Sequence, residues 1–372
     1  DKHTVDMSKT MSKNLQKLKL YITKNFGHIF NKKCYLQHTE RKNGKKESKK
    51  FLEPIIMKYK QFLLKSFYSF NTVILTSETG SGKTTQIPKM LIGQLNNHQK
   101  QIICSQTRRI AVIGAAKRVS NELKTILGDK VGYKIRFENC YRKSTQIKFV
   151  TDGMLLREIQ NQPESYFFSY FIIDEVHERN VNSDIVLGIL KHKQKYILHL
   201  KLIIMSATLE IDKFKNFFQN VNCIKIPGKS FPVVVKWSKI NITDYIISTI
   251  KIILKIYKIN ITGNILVFLS GQDEIETTIR FLNHLKDREG LKNVHFVPLF
   301  SRLTSISYDN LDLFRYTGKI ICIIATNIAE SSVTISDIKF VVDNGCCKLN
   351  LYYGNYMTSL LKVKKVLSAL FN

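Results

Sequence analysis

Short apolar runs rich in β-branched residues recur from about residue 54 onward, and stretches with helical periodicity alternate with them. Thr72–Thr76, Gln101–Cys104, Gln146–Val150, Tyr170–Ile173 and Lys201–Met205 have the length and composition of strands buried on both faces. Between them, Ile110–Leu123, Gly153–Ile159 and Ile185–Leu190 space their apolar residues as helices do. Strand–helix alternation of this kind predicts a doubly wound parallel sheet. Turn residues then cluster at Pro227-Gly228 and Phe231-Pro232, and a second alternation begins. It predicts helices Tyr245–Lys258 and Asp273–Leu285, with strands Asn264–Leu269, Val294–Leu299, Ile320–Ala325 and Ile338–Val342. The pattern implies two α/β domains, 54–228 and 229–372, behind a basic and mobile tail, 1–53.

Charge adds a partner class to this picture. Lys and Arg number 58 against 29 Asp and Glu, a formal net charge of +29. That surplus favours a polyanion, because every neutralised phosphate releases counterions. A Lys-rich coding bias is the plain alternative, since Asn and Ile are abundant too. Arg41, Lys42, Lys45, Lys46, Lys49 and Lys50 crowd into ten positions. They read as a solvated tail, a nuclear localisation signal or a nonspecific RNA-binding arm. The seven cysteines contain no C-x-x-C pair and read as reduced, mostly buried thiols with no zinc site. No signal peptide is apparent. The most apolar helical stretch, Ile242–Ile261, is broken by Asp244, Lys251, Lys255 and Lys258, so no membrane span is expected. Asp1 stands where an initiator Met would, as in a fragment.

The chemistry is carried by Ser77–Thr84, which directly follows the predicted strand Thr72–Thr76 and opens a helix. Glycines at 80 and 82 let backbone N–H groups curl around phosphate oxygens, and the helix N-terminus adds positive potential. In such a loop Glu78, Thr79, Gly80, Ser81, Gly82 and Thr85 line the phosphates. Lys83 reaches the β- and γ-phosphates, and the Thr84 hydroxyl ligates Mg²⁺. Ser77 replaces the usual first glycine without removing any of these functions. Asp174-Glu175-Val176-His177 ends the apolar run Phe171–Ile173, at the carboxyl edge of a strand where open α/β sheets bind ligands. There Asp174 and Glu175 flank the metal. Glu175 is placed to orient or deprotonate a water, the catalytic role, with Asp174 and Lys83 beside it.

Glu78–Pro88 (ETGSGKTTQIP) and Asp174–Arg179 (DEVHER) together resemble the DEAH-box/RNA helicase A group of superfamily 2 helicases. Further blocks follow in the family's order. Ser105–Ala111 resembles motif Ia, Thr151–Glu158 the next nucleic-acid motif and Ser206-Ala207-Thr208 motif III. Leu266–Ile275 resembles motif IV, and Ala325–Ile335 resembles motif V. The resemblance runs from about Pro54 to residue 366 and implies two RecA-like domains. It implies an ATP-dependent RNA helicase, with ATP or other nucleoside triphosphates and Mg²⁺ as cofactors, moving 3′ to 5′.

By the same resemblance, Arg108, Arg109, Thr151, Ser270, Thr326 and Asn327 contact the RNA backbone. Ser206 and Thr208 couple nucleotide state to domain closure, and His177 helps to bridge the two sites. Arg118 packs on the adenine, while the aromatic residue expected opposite it falls on Cys346, which implies weak base selectivity. Thr107 replaces the expected Pro of motif Ia. The implied partners are single-stranded RNA, or a duplex with a 3′ overhang, and ribonucleoprotein assembly factors, with the protein monomeric. The implied setting is nuclear or nucleolar RNA processing, with the cytoplasm as the alternative.

No Gln- and Arg-rich motif VI occurs in the chain, and Val363–Leu370 reaches only its approach. The expectation is a second domain cut short before the arginine fingers, which contribute roughly 10³–10⁵ in rate. Such a chain would be weakly active alone, or a catalytically dead RNA- and ATP-binding protein.

Overall fold

The computed structural model describes residues 54–78, 80–95, 101–161, 168–197, 200–207, 211–218, 220–228, 232–238, 242, 244–259, 263–286, 288–291, 293–300, 319–331, 337–353 and 358–365. The basic tail, Thr79, Thr208 and the last residues of motif V therefore lie outside the described residues.

A short 3₁₀ turn, Ile55–Tyr59, leads into helix α1 (Lys60–Ser69) and then strand β1 (Thr72–Ser77), whose six residues are all buried. The chain continues through α2 (Lys83–Leu91), β2 (Gln101–Gln106) and α3 (Arg109–Glu122). A hairpin of β3 (Val131–Ile135) and β4 (Glu138–Cys140) follows, then β5 (Ile147–Thr151), α4 (Asp152–Asn161) and β6 (Phe168–Ile173). After α5 (Val181–Lys193) come β7 (Lys201–Ser206), α6 (Ile211–Phe218) and β8 (Asn222–Ile226). Together they make an eight-stranded sheet in the order β4-β3-β5-β2-β6-β7-β1-β8, parallel except at the β3–β4 edge.

Alternate residues of the central strands enter two cores, one on each face. Val73 and Leu75 pack with Ile87, Val112 and Phe149, while Ile74 packs with Val150, Phe171 and Leu187. Burial on both sides is why these strands are continuous apolar runs without alternation.

The second sheet is built from β9 (Asn264–Phe268), β10 (Val294–Leu299), β11 (Ile320–Ala325) and β12 (Ile338–Asp343) in the order β10-β11-β9-β12, all parallel. Helices α7 (Tyr245–Lys258) and α8 (Gln272–Leu285) belong to it, with a single turn, α9 (Ile328–Ser331), after β11. An antiparallel hairpin, β13 (Cys346–Tyr353) and β14 (Thr358–Lys365), closes the described chain. Val363 lies in this hairpin's second strand, while 366–372 fall outside the described residues. The architecture is α/β with two parallel-rich sheets, as the alternation predicts, and it fits the two RecA-like domains that the resemblance implies.

The pattern missed α1, α6, β3, β4 and β8. Val131–Ile135 carries Gly132 and Lys134, β4 is a three-residue polar edge strand, and Asn222–Ile226 exposes Lys225. None of these three strands presents a long apolar run, so neighbouring strands rather than local sequence define them.

Candidate functional site

Parallel strands place all their carboxyl ends along one edge, so residues distant in sequence meet there. β1, β2, β5, β6 and β7 end respectively at Ser77, Gln106, Thr151, Ile173 and Ser206. The loop after β1 turns on Gly80 and Gly82, with φ of 76° and 95°, values that L side chains rarely adopt. A Cβ on Gly82 would also lie 2.8 Å from the Pro54 Cβ. Ser77, the departure from the usual first glycine, places its hydroxyl 2.7 Å from that of Ser81 and so pins the loop to its strand. Lys83 is buried and donates to the carbonyls of Ser77 and of Glu78, the latter at 3.1 Å. The Thr85 hydroxyl donates to the Gly82 carbonyl at 3.4 Å. The exposed Glu78 side chain lies over Gly228, where a Cβ would come within 2.1 Å of its Oε2.

Across the edge, the Thr84 hydroxyl donates to Asp174 Oδ2 at 2.5 Å, and Gln106 Nε2 donates to the same oxygen at 2.6 Å. The Glu175 backbone N–H donates to Asp174 Oδ1 at 2.9 Å. Asp174 is fully buried, and burial raises its pKa against the opposing pull of Thr84 and Lys83. Burial, then the charge of Asp174, pushes Glu175 up to about 8. Lys83 moves the other way, lowered by burial although both carboxylates oppose it. Glu175 sits in the left-handed region at φ 55°, a strained conformation for a non-glycine residue. Its Oε2 lies 3.4 Å from His177 Nδ1, yet neither atom makes a hydrogen bond. Burial lowers the His177 pKa.

Oxygen-only donors from Thr84 and Asp174, converging to 2.5 Å, suit a hard cation such as Mg²⁺. Among the described residues no group of three His, Cys, Asp or Glu side chains forms a metal cage. The protein would therefore supply few ligands, as is usual for Mg²⁺ shared with phosphates.

The residues assigned to nucleic acid lie along the same edge and across to the second sheet. Arg108 precedes α3; its Nη2 meets Glu178 Oε1 at 3.2 Å and its Nη1 donates to the Asn327 carbonyl at 2.9 Å. Arg109 is exposed on the first turn of α3. Thr151 ends β5 opposite Gln106. The Ser270 hydroxyl and backbone N–H both donate to Glu274, at 2.6 and 3.0 Å, just ahead of α8. Thr326 donates its N–H to the Leu299 carbonyl at 3.0 Å, and Asn327 is exposed beside it. Ser206 is fully buried at the end of β7, in register with Thr76. Arg118, exposed on α3, bonds Glu122 at 3.2 Å, and Cys346 is half-buried at the start of β13.

The motif reading missed Gln106, Glu122 and Asp152. Asp152 opens α4, is buried, and has no hydrogen bond at either carboxylate oxygen. Ser105 lies close enough to favour its charge but outside bonding geometry, since the Ser105 hydroxyl is unbonded too. The sequence signals for Asp152 were an acidic residue directly after a strand and its place inside the block Thr151–Glu158.

Residues 58–217 match the DEAD/DEAH box helicase model, and residues 248–357 match the helicase conserved C-terminal domain. The chain belongs to the DEAD/DEAH box helicases of superfamily 2. A crystal structure of the Escherichia coli DEAH/RHA helicase HrpB matches this helicase chain with a TM-score of 0.76 at 29% sequence identity. The match covers 85% of this chain and 40% of that one, so the chain spans less than half the length of that relative. The two matched families fall on the two sheets, with the phosphate loop and the DEVH segment inside the first match. Helicase domains of this family imply ATP binding. No helix among the described residues is long and apolar enough to cross a membrane.

Proposed function

We propose that this chain is the core of an ATP-dependent RNA helicase of the DEAH group that moves 3′ to 5′ on RNA. The observation that carries the reading is the meeting of Thr84 and Asp174 at 2.5 Å, beside Lys83 and Glu175. In this reading the loop N–H groups and Lys83 hold the triphosphate, and Thr84 and Asp174 hold Mg²⁺. When bound, Mg²⁺ supplies positive charge that neutralises the phosphates and favours ionised carboxylates. Glu175 then aligns a water for attack on the γ-phosphorus and takes its proton as the bond to the β–γ bridging oxygen breaks, giving ADP and phosphate. RNA as the substrate rests on the resemblance of Ser105–Ala111, Thr151–Glu158 and Ala325–Ile335 to the family's RNA motifs, and on the +29 charge. A nuclear or nucleolar site and ribonucleoprotein partners follow from the same resemblance and from the basic run at 41–50.

The test measures binding of a fluorescent ATP analogue with Mg²⁺, and RNA-stimulated phosphate release, on the 372-residue chain. Lys83→Ala should weaken binding at least about tenfold, the loss of one charge-assisted contact. Glu175→Gln should keep binding and abolish any turnover. Binding unaffected by Lys83→Ala, or phosphate release that survives Glu175→Gln, would overturn the assignment.

A further inference from the structure

Glu122, the last residue of α3, stands outside every motif, yet it touches both parts of the nucleotide site. Its Oε2 accepts from Gln86 Nε2 and from Lys89 Nζ, each at 2.8 Å, on the helix that follows the phosphate loop. Its Oε1 accepts from Arg118 Nε at 3.2 Å, one turn back on its own helix. Gln86 is buried, and its Nε2 also reaches the Thr85 hydroxyl at 3.2 Å, which in turn bonds the Gly82 carbonyl. An unbroken chain of contacts therefore runs from the phosphate loop through Gln86 to Glu122 and on to Arg118. Burial raises the Glu122 pKa, but the bonds from Lys89, Gln86 and Arg118 outweigh it and hold the carboxyl below its ordinary value. It is ionised at neutral pH. An acceptor on Nε fixes the plane of a guanidinium, and a planar group recognises a base by its face.

We propose that Glu122 is a positioning residue that registers the Arg118 guanidinium against the phosphate loop, so that nucleobase recognition depends on it. The proposal rests on the nucleotide reading above, with Arg118 on the base. It gives Arg118 added weight, because the family resemblance puts Cys346, with little stacking surface, at the opposing position. Lys89 shares the carboxylate but belongs to neither ligand contact, so it separates positioning from general stabilisation of the α2–α3 contact.

The experiment compares ATP with inorganic tripolyphosphate, both with Mg²⁺, as competitors of a fluorescent ATP analogue on the full chain. In the wild type, ATP should bind several-fold more tightly than tripolyphosphate. Glu122→Gln should lower ATP affinity about five- to tenfold and leave tripolyphosphate within twofold. It should add nothing in an Arg118→Ala background. Lys89→Ala should preserve the ratio of the two affinities. An equal loss for both competitors, or additive effects of Glu122→Gln and Arg118→Ala, overturns the proposal. If Glu122→Gln fails to fold, an unchanged affinity ratio in Arg118→Ala does the same. Failure of the wild type to bind either competitor would instead sink the nucleotide reading itself.

Discussion

At the scale of single residues, the site concentrates buried polar atoms that lack partners, and this has a measurable cost. Asp152 is the clearest case outside the phosphate loop. Burial raises its pKa from 3.8 to about 6, with Glu178 and Asp174 adding repulsion and Ser105 opposing. A carboxyl whose folded pKa exceeds its unfolded value takes up protons on folding. Its penalty is therefore absent below about pH 4, grows through about pH 6 and is complete above that. Moving a carboxyl from 3.8 to about 6 corresponds to roughly 3 kcal/mol. Asp152→Asn should therefore be more stable than the wild type at pH 7–8, by about 1–3 kcal/mol, with the gain vanishing near pH 4. Urea unfolding at the two pH values checks this, and a gain independent of pH would refute it. Side-chain identity alone did not reveal Asp152, because the same residue after an exposed strand would be solvated and ordinary. The phosphate loop was legible because its glycines, Lys83 and Thr84 act through contiguous backbone, which sequence order preserves.

At the scale of elements, legibility followed burial. Strands buried on both faces, such as Thr72–Ser77 and Ile320–Ala325, stood out as apolar runs. The β3–β4 edge did not, because its stability comes from partners remote in sequence. Glu158 on α4 bridges Lys134 of β3 at 2.7 Å and Lys148 of β5 at 3.0 Å. Glu158 and Lys148 side chains are each only 8% exposed, and Lys148 also lies 4.8 Å from the centre of the Tyr141 ring. This group ties α4 to the two strands whose far neighbours carry Thr151 and Gln106. Removing one partner of a buried ion pair leaves a charge uncompensated, at about 3–5 kcal/mol. Glu158→Ala should lower stability by that amount in thermal or denaturant unfolding. Adding Lys148→Met should restore much of the loss, since it removes the stranded ammonium. If the double variant is no better than the single one, the ion pair is not what holds the edge.

For the whole molecule, the two sheets communicate through residues the sequence could name but not join. Arg108 and Asn327 are separated by 219 positions, yet the guanidinium of one bonds the carbonyl of the other while also meeting Glu178. Beside it, Ile110 of α3 packs into the core of the second sheet with Leu299, Ile328 and Ala329. Two of the residues assigned to the RNA backbone, Arg108 and Asn327, therefore also join the first sheet to the second. A strand binding at Arg108 must compete with Glu178 for the guanidinium or share it. On the proposed RNA reading, phosphate contact and sheet-to-sheet contact are linked through one side chain. Counterion release separates these two roles, because only phosphate contact contributes to the salt dependence of binding. For single-stranded RNA the logarithm of affinity falls with the logarithm of salt by about 0.7 per neutralised phosphate. Arg109→Ala, which lacks the cross-sheet bonds of Arg108, should reduce that slope by about 0.7 and weaken binding similarly across unrelated RNA sequences. Arg108→Ala should reduce it by the same amount and, unlike Arg109→Ala, also speed protease cleavage between residues 228 and 245. A titration of fluorescent single-stranded RNA over a range of salt concentrations, with limited proteolysis in parallel, measures both. An unchanged slope in Arg108→Ala with faster cleavage would make Arg108 a purely structural tie between the sheets.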